Sequence, residues 1–157
     1  MDVRVEIARE ASQELVDAFG RLLPQLSSRA RPLDHEAVSR LMTCDTNTVL
    51  MARTADGIVG TLTLTLVPLP SGLRGRVEDV VVDTAARGQG VAGLLIREAL
   101  RIAEKAGART VDLTSRPDRG AANRLYERLG FQARHSTVYR QERTDLWGAA
   151  LTSDTDG

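Results

Sequence analysis

The stretch from Val77 to Ile96, VEDVVVDTAARGQGVAGLLI, constrains this chain more than any other. Val80, Val81 and Val82 form a β-branched run, stiff at χ1 and suited to a strand covered on both faces. Asp83 to Arg87 is a polar turn, and Gly88, Gly90 and Gly93 follow it. Glycines let a ligand approach the backbone. A helix that starts at such a corner offers unpaired N–H groups and the positive end of its dipole, which together favour a phosphate.

The surrounding pattern predicts one mixed domain. Val3, Val5 and Ile7 alternate with polar residues, as in a half-buried strand. Ser12 is placed to cap a helix with Leu15, Val16, Phe19, Leu22, Leu23 and Leu26 on one face, ended or kinked by Pro24. Asp34 caps a second helix. Thr48 to Arg53 and Ile58 to Val67 read as a hairpin around Ala55-Asp56-Gly57, with a bulge marked by Gly60. Pro68 to Gly72 reads as a loop before the Val77–Asp83 strand. A helix from Gly90 to about Ala106 ends at Gly107, and Arg109 to Ser115 forms a strand. This strand–helix–strand unit predicts a right-handed crossover between parallel strands. Ala121 to Leu129 is a short helix, and Phe131 to Gln141 is expected to supply the last strand or pair of strands. The expected organisation is a single domain over residues 1–141 and an extension over 142–157. Residues 152–157 are expected to be disordered.

Composition narrows the functions. The 157 residues suit one core. The 21 basic residues balance the 21 acidic ones, so no overall field draws the chain to nucleic acid or an anionic membrane. Cys44 is the single cysteine, and His35 and His135 stand outside metal-ligand spacings, so no metal is expected. No apolar run reaches transmembrane length, and the N-terminal residues lack a signal-peptide core; a cytoplasmic protein is the expectation.

Two phosphate readings and a bare-turn reading compete. Gly88-Gln-Gly90-Val-Ala-Gly93 fits GxGxxG, with Asp112 about 20 residues on, as in dinucleotide-binding folds. There the strand runs almost directly into the first glycine, whereas here Asp83 to Arg87 intervenes, and the upstream elements are in the wrong order. A P-loop needs GKS or GKT after its glycines, and neither is present. A bare tight turn does not call for three glycines, an arginine and a helix start together.

Arg87-Gly-Gln-Gly90-Val-Ala92 resembles the Q/R-x-x-G-x-G/A signature of the GNAT (Gcn5-related) N-acetyltransferases. Leu125-Tyr126-Glu-Arg-Leu-Gly130-Phe131 resembles that family's second signature, one helix and one strand downstream. The resemblance implies an α/β (α+β type) GNAT fold: a mixed, mostly antiparallel sheet of 6–7 strands, splayed in the middle and flanked by about four helices. It implies acetyl-CoA in the splay. The backbone of Arg87, Gly88, Gln89, Gly90, Val91, Ala92 and Gly93 would meet the pyrophosphate, and that of Val80, Val81 and Val82 would pair with pantetheine. Backbone donors suffice for both contacts, in keeping with glycines rather than lysines. The acceptor would be a primary amine on a small molecule or peptide. Dimers are common in the family, which admits a homodimer here.

Acyl transfer from a thioester to an amine needs a neutral amine, a stabilised oxyanion and a proton for the leaving thiolate. By resemblance Tyr126 is the candidate acid, since a phenol keeps its proton at neutral pH; its structural alternative is a core tyrosine at a helix end. Glu78 is the candidate base, directly or through a water, because simple alternation puts it on one face with Val80 and Val82. Its alternative is a salt bridge to an arginine of Arg74-Gly-Arg76. Many family members carry an asparagine seven residues before the tyrosine, where this chain has Arg119, and Asn123 is the candidate substitute at the cofactor. Cys44 reads as a buried small apolar group, and Arg97, Arg101 and Lys105 as a solvated helix face. The non-catalytic alternative is an acyl-CoA-binding regulatory or carrier-interacting module.

Overall fold

The structure is a computed structural model that describes residues 2–142. The rest of the extension, Trp147 and the expected disordered end included, lies outside the described residues. The elements run β1 (Arg4–Ile7), α1 (Gln13–Leu26), α2 (His35–Thr43), β2 (Asn47–Thr54), β3 (Gly57–Leu69), β4 (Gly72–Val82), α3 (Val91–Lys105), β5 (Thr110–Asp112) and α4 (Gly120–Arg128). The strands lie in the order β1-β2-β3-β4-β5. The first four are antiparallel neighbours, and β4 pairs with β5 in parallel, as the crossover predicts.

The helices start where their sequences say. Ser12 accepts from the Leu15 N–H at 3.2 Å and Asp34 from the Ala37 N–H at 2.8 Å. Pro24 does not end α1, which runs on to Leu26. So close to the C-terminus, the lost amide bond costs a final turn rather than a helix interior.

Two cores flank the sheet, and β2 shows how. Leu50 and Ala52 join α3 residues Val91, Leu95, Ile96, Ala99 and Ala103. Val49 and Met51 join Leu15, Ala18, Phe19 and Leu22 of α1 and Val38 of α2. The period of two along the strand therefore feeds two helical layers.

Three sequence expectations need correction. The Pro68–Gly72 loop is only a tight turn: β3 extends to Leu69 and β4 already begins at Gly72, with Leu69 opposite Gly72. Gly72 has φ +120°, a conformation open to glycine, which lets the strands close directly on each other. The Arg109–Ser115 strand shrinks to Thr110–Asp112. Phe131 to Gln141 forms no strand, so the described sheet has five strands rather than six or seven. Val138 and Tyr139 there are exposed, and a run without an apolar face to bury has no packing to hold it in a sheet.

Candidate active site

The sheet opens where the sequence places its glycine corner. β5 pairs with β4 only at Arg74, Gly75 and Arg76, so β4 from Val77 to Val82 has no strand on its β5 side among the described residues. On its other side β4 is paired with β3 from Gly72 to Val82, with one interruption. Thr63 lies opposite Glu78 and Thr61 opposite Val81, so Asp79 and Val80 together face Leu62. This is a β-bulge. Asp79 takes φ +50°, the single positive φ of a non-glycine residue among the described residues.

The bulge changes which faces the site residues share. Val77, Val80 and Val82 pack into the α3-side core, whereas Val81 packs into the α1/α2-side core. Glu78 adjoins Val77 on the regular part of the strand, so it faces the α1/α2 side with Val81. The expectation that it shares a face with Val80 and Val82 fails because the extra residue shifts the alternation. The Glu78 Oε1 accepts from Arg76 Nε at 2.8 Å, which is the salt bridge weighed against a basic role. Asp79 reaches solvent, and among the described residues its side chain has no hydrogen-bond or ion-pair partner. Desolvation, then the negative field of Glu78, pushes its carboxyl above the ordinary value.

The corner after β4 is built by side chains that the sequence pattern does not reveal. Asp83 donates its N–H to the Val59 carbonyl at 2.7 Å, and its carboxylate accepts from the Ala85 N–H at 3.1 Å, closing a single 3-10 turn over Thr84–Ala86. Gln25 of α1 accepts from both the Thr84 N–H and the Thr84 hydroxyl, at 2.9 and 2.8 Å. Ala86 is buried in the α3-side core. The corner is thus pinned from both helical layers.

Gly88 and Gly90 then adopt φ +76° and +78°, which side chains resist. The first amide bond of α3 runs from the Leu94 N–H to the Gly90 carbonyl at 3.2 Å, and no side chain caps the helix. From Gly88 to Gly93 the backbone N–H groups have no acceptor among the described residues. The predicted cradle began one residue earlier, but the Arg87 N–H already donates to the Thr84 carbonyl at 3.3 Å. Its guanidinium Nε donates to the Val82 carbonyl at 3.3 Å. Six unpaired amides at a helix start are donors of the kind that suit an anion.

Tyr126 sits on α4, half-buried against the α3-side core, its ring edge-on to Phe131 at 6.1 Å between centroids. Gly93 brings α4 close, since a Cβ there would stand 3.5 Å from Leu125 Cδ1. The Asn123 side chain makes two hydrogen bonds to the chain before α4. Its Oδ1 accepts from the Ser115 hydroxyl at 2.5 Å, and its Nδ2 donates to the Arg116 carbonyl at 3.0 Å. It clasps the β5–α4 connection, and Arg119 stands exposed at the start of α4.

Other residues fall outside the site. Cys44 is exposed rather than buried, at the C-terminal end of α2, with its Sγ 3.2 Å from the Thr46 hydroxyl oxygen. Arg97, Arg101 and Lys105 lie on the exposed side of α3, where Arg101 pairs with Glu98. Among the described residues no helix is long and apolar enough to cross a membrane.

The family model for the Acetyltransferase (GNAT) family matches residues 10–131, and the chain belongs to that family. It is similar to N-alpha-acetyltransferase 30 of Schizosaccharomyces pombe, with 37% identity over 68 residues, 43% of this chain and 45% of that protein. It is also similar to the probable glucosamine 6-phosphate N-acetyltransferase 2 of rice, Oryza sativa, with 43% identity over 60 residues, 38% of this chain and 34% of that protein. The matches thus span less than half the length of these relatives. Among solved structures, a transcriptional regulator from Bacillus halodurans superposes with a TM-score of 0.76 at 29% identity, over 90% of this chain and all of that one.

Proposed function

We propose that the protein is an N-acetyltransferase that moves the acetyl group of acetyl-CoA to a primary amine within a ternary complex. The observation that carries this reading is the edge of β4 from Val77 to Val82, which no described strand covers, followed across the Asp83–Arg87 turn by the unpaired amides of Gly88 to Gly93. A pantetheine arm offers amides to pair with such an edge, and a pyrophosphate suits such a helix start. Val80, Val81 and Val82 therefore align the arm, and Gly88, Gln89, Gly90, Val91, Ala92 and Gly93 hold the diphosphate. A backbone N–H near Val81 or Val82 polarises the thioester carbonyl. Tyr126 protonates the leaving sulfur, and a carboxylate of β4 receives the proton of the amine. Both relatives named above are N-acetyltransferases, one of an α-amino group and one of an amino sugar phosphate, which supports an amine acceptor.

The test is CoA thiol release from acetyl-CoA with the purified chain and a panel of amines: glucosamine 6-phosphate, spermidine, an aminoglycoside and a tetrapeptide with a free N-terminus. Turnover with at least one is expected. Tyr126→Phe should lower kcat about 100-fold while acetyl-CoA affinity stays within error. Equal losses in both would remove the acid role.

The second reading, an acyl-CoA-binding module without turnover, draws on the likeness to a transcriptional regulator. Tight CoA binding with no thiol release from any amine would favour it.

A further inference from the structure

We infer that Asp79, at the bulge of β4, is the carboxylate that meets the ammonium group of the acceptor and takes its proton. This rests on the acetyl-transfer reading and identifies the base that it requires.

Asp79 is the extra residue of the bulge, opposite Leu62 and outside the in-and-out alternation that commits Val77, Val80, Val81 and Val82 to the two cores. It lies on the stretch of β4 that β5 leaves open, next to the valine edge assigned to pantetheine. A thioester drawn along that edge brings its carbonyl carbon beside the bulge, and so beside this carboxylate.

A position with φ +50° is best filled by glycine, and another side chain there costs roughly 1–2 kcal/mol, less for Asp or Asn. A bulge needed only for its bend is served by glycine. A carboxylate kept in a strained backbone conformation points to a use for the carboxylate.

Adjacent Glu78 is ion-paired with Arg76, whereas Asp79 has no ion-pair partner among the described residues. The charges of the packed helices are engaged or turned outward. On α1, Glu14 pairs with Arg53, Asp17 accepts from Gln13, and Arg21 donates to the Ile58 carbonyl. On α3, Glu98 pairs with Arg101, while Arg97, Glu104 and Lys105 are exposed. From β5, Asp112 lies opposite Arg76 in the register, not opposite Asp79. Desolvation first, and the field of Glu78 second, hold the Asp79 carboxyl above its ordinary value.

The step balances. Asp79 takes one proton from R–NH3+, and the freed lone pair forms the N–C bond at the thioester carbonyl. Collapse breaks the C–S bond, and sulfur leaves with its electron pair and takes the Tyr126 proton. The nitrogen sheds its second proton, which restores the phenol through solvent, and Asp79 releases its own. The products are the amide, CoA thiol and one H+.

Two variants keep the bulge and remove the base: Asp79→Asn, since Asn tolerates a left-handed backbone, and Asp79→Gly, which favours it. With whichever panel amine the native chain acetylates, both should lose about 100-fold in kcat/KM at neutral pH. They should regain most of it as pH rises through the amine's own pKa, where the nucleophile is already neutral. Acetyl-CoA affinity by calorimetry should be unchanged. Full activity in Asp79→Gly, or a loss equal at every pH, would overturn the assignment and leave the acetyltransferase reading standing. Absence of turnover by the native chain with every amine would overturn both.

Discussion

Gly93 and Leu125 set the spacing between the helix that starts at the glycine corner and the helix that carries Tyr126. A Cβ on Gly93 would meet Leu125 Cδ1 at 3.5 Å, ordinary contact with no room beyond it. Gly93→Ala should therefore be accepted, and even gain up to about 1 kcal/mol of helix propensity. Gly93→Leu should push α4 outward, cost about 1–3 kcal/mol by overpacking, and lower kcat about 10- to 100-fold by displacing Tyr126. Thermal melts and turnover of the two variants check this; indifference to leucine would mean that α4 does not depend on the contact.

Thr61 lies opposite Val81 and is 1% exposed, and its hydroxyl has no partner among the described residues. Thr61→Val keeps the shape and removes the orphaned group, so it should stabilise the fold by about 1 kcal/mol. For a chain of this size that corresponds to roughly 2–4 °C in Tm. A lower Tm would reveal a partner for the hydroxyl, such as a buried water.

Glu14 tests the α1–sheet junction by pH. Its hydrogen bond to Arg53, 2.8 Å at the closest ion-pair contact, holds the carboxyl below its ordinary value, and Arg53 also reaches Glu6 at 3.3 Å. A depressed acid stabilises the fold above its unfolded pKa and stops doing so as pH falls through its folded pKa. Glu14→Gln should thus melt earlier than the native chain at neutral pH, and the two Tm curves should converge in acid. Parallel curves at all pH values would show that the pair contributes nothing, as many exposed pairs do.

The fold was legible where local signals agree. Ser12 and Asp34 cap the first two helices as their positions indicate, and the crossover rule gives the parallel β4–β5 pairing. The glycine corner and its helix are where the pattern puts them, because Gly88 and Gly90 take conformations that only their type adopts readily. Strand extents were harder. Pro68 sits within β3 and Thr137 to Tyr139 form no strand, because pairing depends on neighbours distant in sequence. The faces around Glu78 were misread for one reason: alternation assumes an unbroken ladder, and nothing in Glu-Asp-Val-Val-Val announces a bulge. Gln25, which bonds Thr84 across the fold, had no signal at all in the chain, since its partner is 59 residues away.

The residue at the bulge also acts as a change of phase. Before Asp79, odd-numbered positions of β4 belong to the α3 layer; after it, even-numbered ones do. One continuous strand can therefore serve two layers whose demands differ, without a break in the chain between them. Because Asp79 is extra to the ladder, removing it would restore simple alternation: Val80, Val81 and Val82 would keep their layers, and only the bulge would go. The extra residue therefore contributes the bulge itself and the side chain it carries, while the burial of the valines is independent of it.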